Sequence, residues 1–250
     1  MADYLTTSQG RRLAYRYSTP KTGLTYVWLS GFKSDMSGTK VTVLEDWARE
    51  AGHGFLAFDY SGHGLSDGAF TDGTISAWRE DALSAISELT EGPLVLVGSS
   101  MGGWIALLAA LALVDRVKGL VLIAPAPDFT EKLMWPTFSA EQQAEIMEDG
   151  LTLRPSDYDE PYAITRDLIL DGAKWSLLDG AIAFAGPVRI LQGVKDEDVP
   201  WQHAHRIVDQ IVSEDVVFTL VKDGDHRLSR EQDIARLIET CAGLSQRVEG

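Results

Sequence analysis

The chain has 250 residues, 45% hydrophobic and 24% charged, enough to bury one large α/β core or two small ones. Its net charge of −15 argues against a nucleic-acid partner and against broad attraction to anionic membranes, since both need clustered Lys and Arg. Its single cysteine, Cys241, leaves no intrachain disulfide and no thiolate metal cluster.

In chain order, Asp3–Ser8 and Leu13–Ser18 read as strands joined by a turn at Gln9-Gly10. Thr25–Ser30 is a compact apolar run ending at Gly31, and Val41–Glu50 has helical spacing. Gly54–Asp59 is a second buried-strand pattern. Ile75–Leu89 is an amphipathic helix with Trp78, Ala82, Ala85, Ile86 and Leu89 on one face. Pro93–Val97 is a strand and Met101–Leu113 a helix apolar nearly all round, which marks it as central. Lys118–Ala124 is the next strand. Two late strands, Val188–Leu191 and Val216–Leu220, precede the helices Trp201–Val212 and Arg230–Cys241. Apolar strands alternating with helices indicate a parallel sheet covered on both faces.

One segment breaks this rhythm. Residues 129–186 hold no good strand but two helical stretches, Ala140–Glu148 and Tyr162–Leu178, with Trp135, Phe138, Tyr158, Tyr162 and Trp175. Ligand sites form at strand C-termini of open α/β sheets, so this insertion is expected to be a small cap over a pocket. Phe32, Trp135 and Phe138 are its expected lining. Residues 1–250 otherwise read as one domain, without repeats or linkers.

Gly98-Ser99-Ser100-Met101-Gly102 sits between a strand-like and a helix-like run, the context of a nucleophile elbow. The central Ser must project from a sharp turn, and glycines flank it because a Cβ there would strike the neighbouring strand or helix. The frame picks Ser100 as nucleophile. An acid is expected after Val188–Leu191, where Gly193-Val194-Lys195-Asp196-Glu197-Asp198-Val199-Pro200 lies. Asp196 is preferred there, with Asp198 as the fallback and Asp128, after the preceding strand, as a further alternative. A base is expected after the last strand, where Asp223-Gly224-Asp225-His226 follows. His226 would take the Ser100 proton while Asp196 holds the imidazole tautomer. Of the other histidines, His203 and His205 read as surface residues, His53 precedes a strand, and His63 sits in a loop as a structural residue. Two backbone N–H groups are needed for an oxyanion, and Phe32 and Met101 are placed to offer them.

These motifs resemble the α/β-hydrolase family over nearly the whole chain. More narrowly, Phe58-Asp59-Tyr60-Ser61-Gly62, Gly98 to Trp104, Lys195 to Trp201 and Asp225-His226-Arg227 resemble its mitochondrial acyl-protein thioesterase and acyl-glucuronide esterase branch. The resemblance implies a mostly parallel eight-stranded sheet with helices on both faces, and a Ser100, Asp196, His226 triad. It also implies hydrolysis of thioesters and acyl glucuronides with neither metal nor cofactor. The expected partner is a small-molecule or acyl-protein ester or thioester. A C–C bond hydrolase and a non-catalytic ligand-binding scaffold are the competing readings. No basic or apolar leader opens the chain and no apolar run approaches the ~20 residues of a membrane span, so the expected location is cytoplasmic.

Overall fold

Short apolar runs become strands here because both of their faces find cover. The computed structural model describes residues 2–154 and 161–249. Its strands are β1 (Asp3–Thr6), β2 (Arg12–Ser18), β3 (Thr25–Leu29), β4 (Gly54–Phe58), β5 (Leu94–Ser99), β6 (Val117–Ile123), β7 (Leu151–Arg154), β8 (Tyr162–Thr165), β9 (Val188–Gly193) and β10 (Val216–Val221). Eight of them form one sheet in the order β1-β2-β4-β3-β5-β6-β9-β10. The β1–β2 and β2–β4 pairs are antiparallel and the rest are parallel. Every residue of β3 and β4 is buried, as strands covered on two faces should be.

The helices are α1 (Thr39–Ala51), α2 (Ile75–Leu89), α3 (Met101–Ala112), α4 (Ala140–Asp149), α5 (Arg166–Gly172), α6 (Trp201–Gln210) and α7 (Glu231–Glu249). Trp78 of α2, Trp104 of α3 and Ile207 of α6 share one core with one face of the sheet. Leu44 and Ala48 of α1 pack with Leu237 and Cys241 of α7 in a second core on the other face. Residues Met101 through Ala110 of α3 are all buried, which explains a helix without a polar side. None of the described helices is long and apolar enough to cross a membrane.

The insertion departs from expectation. The helix expected over Tyr162–Leu178 is a strand, a short helix and a 3-10 turn, and β7 pairs with β8 as an antiparallel hairpin. Thr152 and Ile164 are partners in that hairpin and both face inward, so four-residue strands suffice to bury one edge. Thr165 then accepts the Leu168 N–H at 3.2 Å, an N-cap that starts α5 at Arg166. The expected helix at Ala140 forms, opened by a reciprocal capping box between Ser139 and Gln142. Tyr158 lies outside the described residues.

The base of the insertion is fastened to the sheet's helices. The Asp171 carboxylate accepts the Ser76 N–H at 2.7 Å and the Ser76 hydroxyl at 2.8 Å. Trp175 Nε1 donates to Ser76 Oγ at 2.8 Å, and Trp104 Nε1 donates to the Trp175 carbonyl at 3.1 Å. The Arg79 guanidinium lies 4.5 Å from the Trp175 ring centroid.

Candidate active site

The turn between β5 and α3 is tight because two glycines allow it. A Cβ on Gly102 would run into the Leu29 carbonyl of β3, and one on Gly98 into the Gly102 carbonyl. Between them Ser100 has φ 55° and ψ −119°, a conformation that L-residues rarely adopt. It is held there by Ser100 N–H to Ile123 O at 2.9 Å and by Gly103 N–H to Ser100 O at 2.9 Å. The strained backbone turns the hydroxyl out of the elbow.

Parallel pairing brings the C-terminal ends of β5, β9 and β10 to one rim, and the loops leaving them meet. His226 Nε2 lies 3.1 Å from Ser100 Oγ, and His226 Nδ1 lies 2.8 Å from Asp196 Oδ2. An ionised carboxylate only accepts, so Nδ1 carries the proton and Nε2 offers its lone pair to the hydroxyl. The Asp196 side chain is fully buried. Its Oδ1 accepts the N–H groups of Asp198 at 3.0 Å and Val199 at 2.8 Å. Its Oδ2 also accepts Gln192 Nε2 at 2.9 Å. Asp198 thus contributes a backbone N–H to this carboxylate.

Asp128 is occupied elsewhere. It is buried, has φ 57°, and accepts from Ser176 Oγ at 2.8 Å and from the N–H groups of Leu177 at 2.8 Å and Leu178 at 2.9 Å. That carboxylate clamps the end of the insertion. His203 is buried, contrary to the expected surface position, because it shares the inward side of α6 with Ala204 and Ile207. Its Nε2 lies 2.7 Å from the Pro127 carbonyl, and burial lowers its pKa. His205 is the more exposed of the two, 3.5 Å from Asp209.

One ligand atom each from Asp196, Asp198 and His226 falls within 4.8 Å of the others. The donor set fits a cation poorly. The Asp196 oxygens already accept four hydrogen bonds, and both ring nitrogens of His226 are engaged.

A Cβ on Gly31 would stand 3.4 Å from the Ser100 Cβ, so the turn after β3 passes close beside the hydroxyl. Among the described residues no hydrogen bond takes up the Phe32 N–H or the Met101 N–H. The Phe32 ring packs edge-on to Phe70 at 4.9 Å, Phe129 at 5.6 Å, Trp78 at 5.9 Å and Tyr162 at 6.2 Å. Trp135 and Phe138 pair with each other at 6.2 Å. Phe32 therefore meets the insertion through Phe129 and Tyr162. Gln192 escaped the sequence reading, although a Gln ending an apolar strand was the available signal.

A family model described as alpha/beta hydrolase matches residues 26–240. The mouse mitochondrial palmitoyl-protein thioesterase ABHD10 is 39% identical over 244 residues, covering 96% of this chain and 81% of that protein. The crystal structure of a protein from Agrobacterium vitis S4 is 44% identical with a TM-score of 0.94 and covers 98% of both chains. The structure of mouse alpha/beta hydrolase domain-containing protein 10 is 38% identical with a TM-score of 0.90, covering 99% of both. The expected cytoplasmic location is overturned, since the curated relatives matched over most of the chain are named mitochondrial. With an elbow serine, a buried carboxylate and an imidazole at one rim of a matching sheet, the chain belongs to the alpha/beta hydrolase family.

Proposed function

We propose that the chain hydrolyses carboxylic esters or thioesters through an acyl-enzyme on Ser100. The observation that carries this reading is His226, which bridges Ser100 Oγ at 3.1 Å and Asp196 Oδ2 at 2.8 Å. Ser100 Oγ attacks the acyl carbonyl as its proton passes to His226 Nε2. The tetrahedral oxyanion takes hydrogen bonds from the Phe32 and Met101 N–H groups. The imidazolium, steadied by Asp196, then gives its proton to the leaving oxygen or sulfur as that bond breaks. Water enters, loses a proton to Nε2, attacks the acyl-enzyme, and leaves the carboxylic acid and a restored hydroxyl.

Relatives named palmitoyl-protein thioesterases favour an acylated protein thioester as substrate. In this reading residues 1–250 are one domain, and 129–186 cap an acyl pocket lined by Phe32, Trp135 and Phe138. The edge-on contacts of Phe32 with Phe129 and Tyr162 support the link between insertion and site. The test is a fluorophosphonate probe with peptide mapping, followed by turnover of acyl thioesters of graded chain length beside an acyl glucuronide. Adduct on Ser100 and a product burst support the reading; absence of both overturns it.

A further inference from the structure

The triad reading leaves His63 unused, yet the chain gives it a place that a merely space-filling ring would not need. It is 5% exposed, and its ring sits between Tyr60 at 5.7 Å, Phe70 at 5.2 Å and Trp78 at 5.2 Å. Its backbone is tied by His63 N–H to Tyr60 O at 3.0 Å. Its Nδ1 lies 3.3 Å from the Ser61 carbonyl, which can only accept, so Nδ1 carries the proton. Its Nε2 then has a free lone pair, and the Lys33 backbone N–H donates to it at 3.2 Å.

Lys33 directly follows Phe32, whose N–H faces the elbow side of the turn in the proposed mechanism. Lys33 has φ 55°, the left-handed region that a non-glycine residue holds only when its surroundings fix it. The turn is closed by Ser34 N–H to Gly31 O at 3.1 Å. The Lys33 ammonium lies 5.0 Å from the Phe70 ring centroid and 4.8 Å from that of Tyr162. Phe70 and Trp78 box both the His63 ring and the Phe32 ring. Asp59 ties the same two loops a second time, accepting Met36 N–H at 2.7 Å and Leu65 N–H at 2.9 Å. Imidazole, lysine amide and phenylalanine ring thus form one rigid block beside Ser100.

We propose that His63 is a positioning residue for the oxyanion turn: its neutral imidazole accepts the Lys33 N–H and thereby aims the Phe32 N–H at the substrate's carbonyl oxygen. The proposal rests on the Ser100 acyl-enzyme reading for its kinetic consequence, though not for the hydrogen bond itself. Burial lowers the His63 pKa, against the Ser61 carbonyl and the charges of Asp81 and Asp35, while Lys33 reinforces it. The neutral form therefore persists to lower pH than for a free histidine. Acid converts Nε2 from acceptor to donor, so it then opposes the Lys33 N–H and releases the turn.

The test compares His63→Phe, which keeps a ring but removes the acceptor, with His63→Gln, whose Oε1 can accept in its place. An interaction that matters only when the oxyanion forms should lower kcat and spare KM. For His63→Phe we expect a kcat loss of about 10- to 100-fold, less than deleting an oxyanion donor outright, with KM within about 2-fold. His63→Gln should recover most of that loss. The acid limb of log kcat should be steeper in the wild type than in His63→Gln over the range where the coupled shift is seen. Amide NMR reads the contact without turnover: in the wild type the Lys33 amide and the His63 ring nitrogens should shift together with one midpoint. Equal kcat in wild type and His63→Phe overturns the proposal, as does a Lys33 amide indifferent to His63 protonation. Absent turnover with that coupled titration intact would instead overturn the ester-hydrolase reading.

Discussion

Gln192 donates its amide N–H to Asp196 Oδ2 at 2.9 Å, the same oxygen that accepts the hydrogen bond from His226 Nδ1 at 2.8 Å. The amide also reaches the Val199 carbonyl at 3.0 Å, so one buried side chain holds both ends of the acid loop. Replacing it with Leu leaves a buried carboxylate and a buried carbonyl each short of a donor. Gln192→Leu should lose about 1–3 kcal/mol of stability and lower kcat as well. Urea unfolding beside steady-state kinetics reads both.

In the proposed mechanism Ser100→Ala and His226→Ala remove the groups that touch the reacting atoms, and both leave the core alone. Each should lower kcat by at least about 10⁴-fold, with a melting temperature close to that of the parent. A variant that kept measurable burst kinetics would place the nucleophile elsewhere.

Asp196→Asn keeps the shape but puts an amide against donors, which favours the wrong imidazole tautomer. Its rate should fall by about 10³- to 10⁴-fold. Asp198 gives only its backbone N–H to Asp196 Oδ1 at 3.0 Å, so Asp198→Asn should stay near the parent rate. The reverse ranking would reassign the acid.

Gly102→Ala drives a Cβ into the Leu29 carbonyl, which is backbone in a fully buried strand and has nowhere to go. The penalty should be about 1–3 kcal/mol or more. Thermal unfolding of the variant measures it, and an unchanged midpoint would contradict the close approach.

Burial pushes the Asp171 carboxyl up, but the hydrogen bonds from Ser76 and the ion pair with Lys174 outweigh it and hold its pKa below the ordinary value. A depressed folded-state pKa stabilises the protein above the unfolded-state value, about 3.9, and that stabilisation fades as pH falls through the folded one. Asp171→Asn should therefore lower the melting temperature at pH 7, and the gap from the parent should close below about pH 4. A gap that is constant with pH would remove the charged anchor.

The convergence of Ser100, Asp196 and His226 was legible because each lies in a short local pattern at the end of an apolar strand. Ser100, Asp196 and His226 then needed only parallel pairing to meet. The β7–β8 hairpin was not legible: among its described residues only Thr152 and Ile164 are buried, too few for alternation to register against the aromatic helix-like spacing around them. His203 lies inside rather than at the surface because the burial of α6 follows Ala204 and Ile207, which its spacing from His205 does not reveal. The contact between His63 and Lys33 joins loops 30 residues apart, which no local pattern encodes.

β10 is an edge strand of the sheet, bonded to β9 alone, with Val217 and Leu220 exposed. The imidazole hangs from the loop that this strand delivers. Fraying at that margin will detach His226 while the interior strands stay zipped, so mild heat or denaturant should silence the protein well before circular dichroism registers any melting.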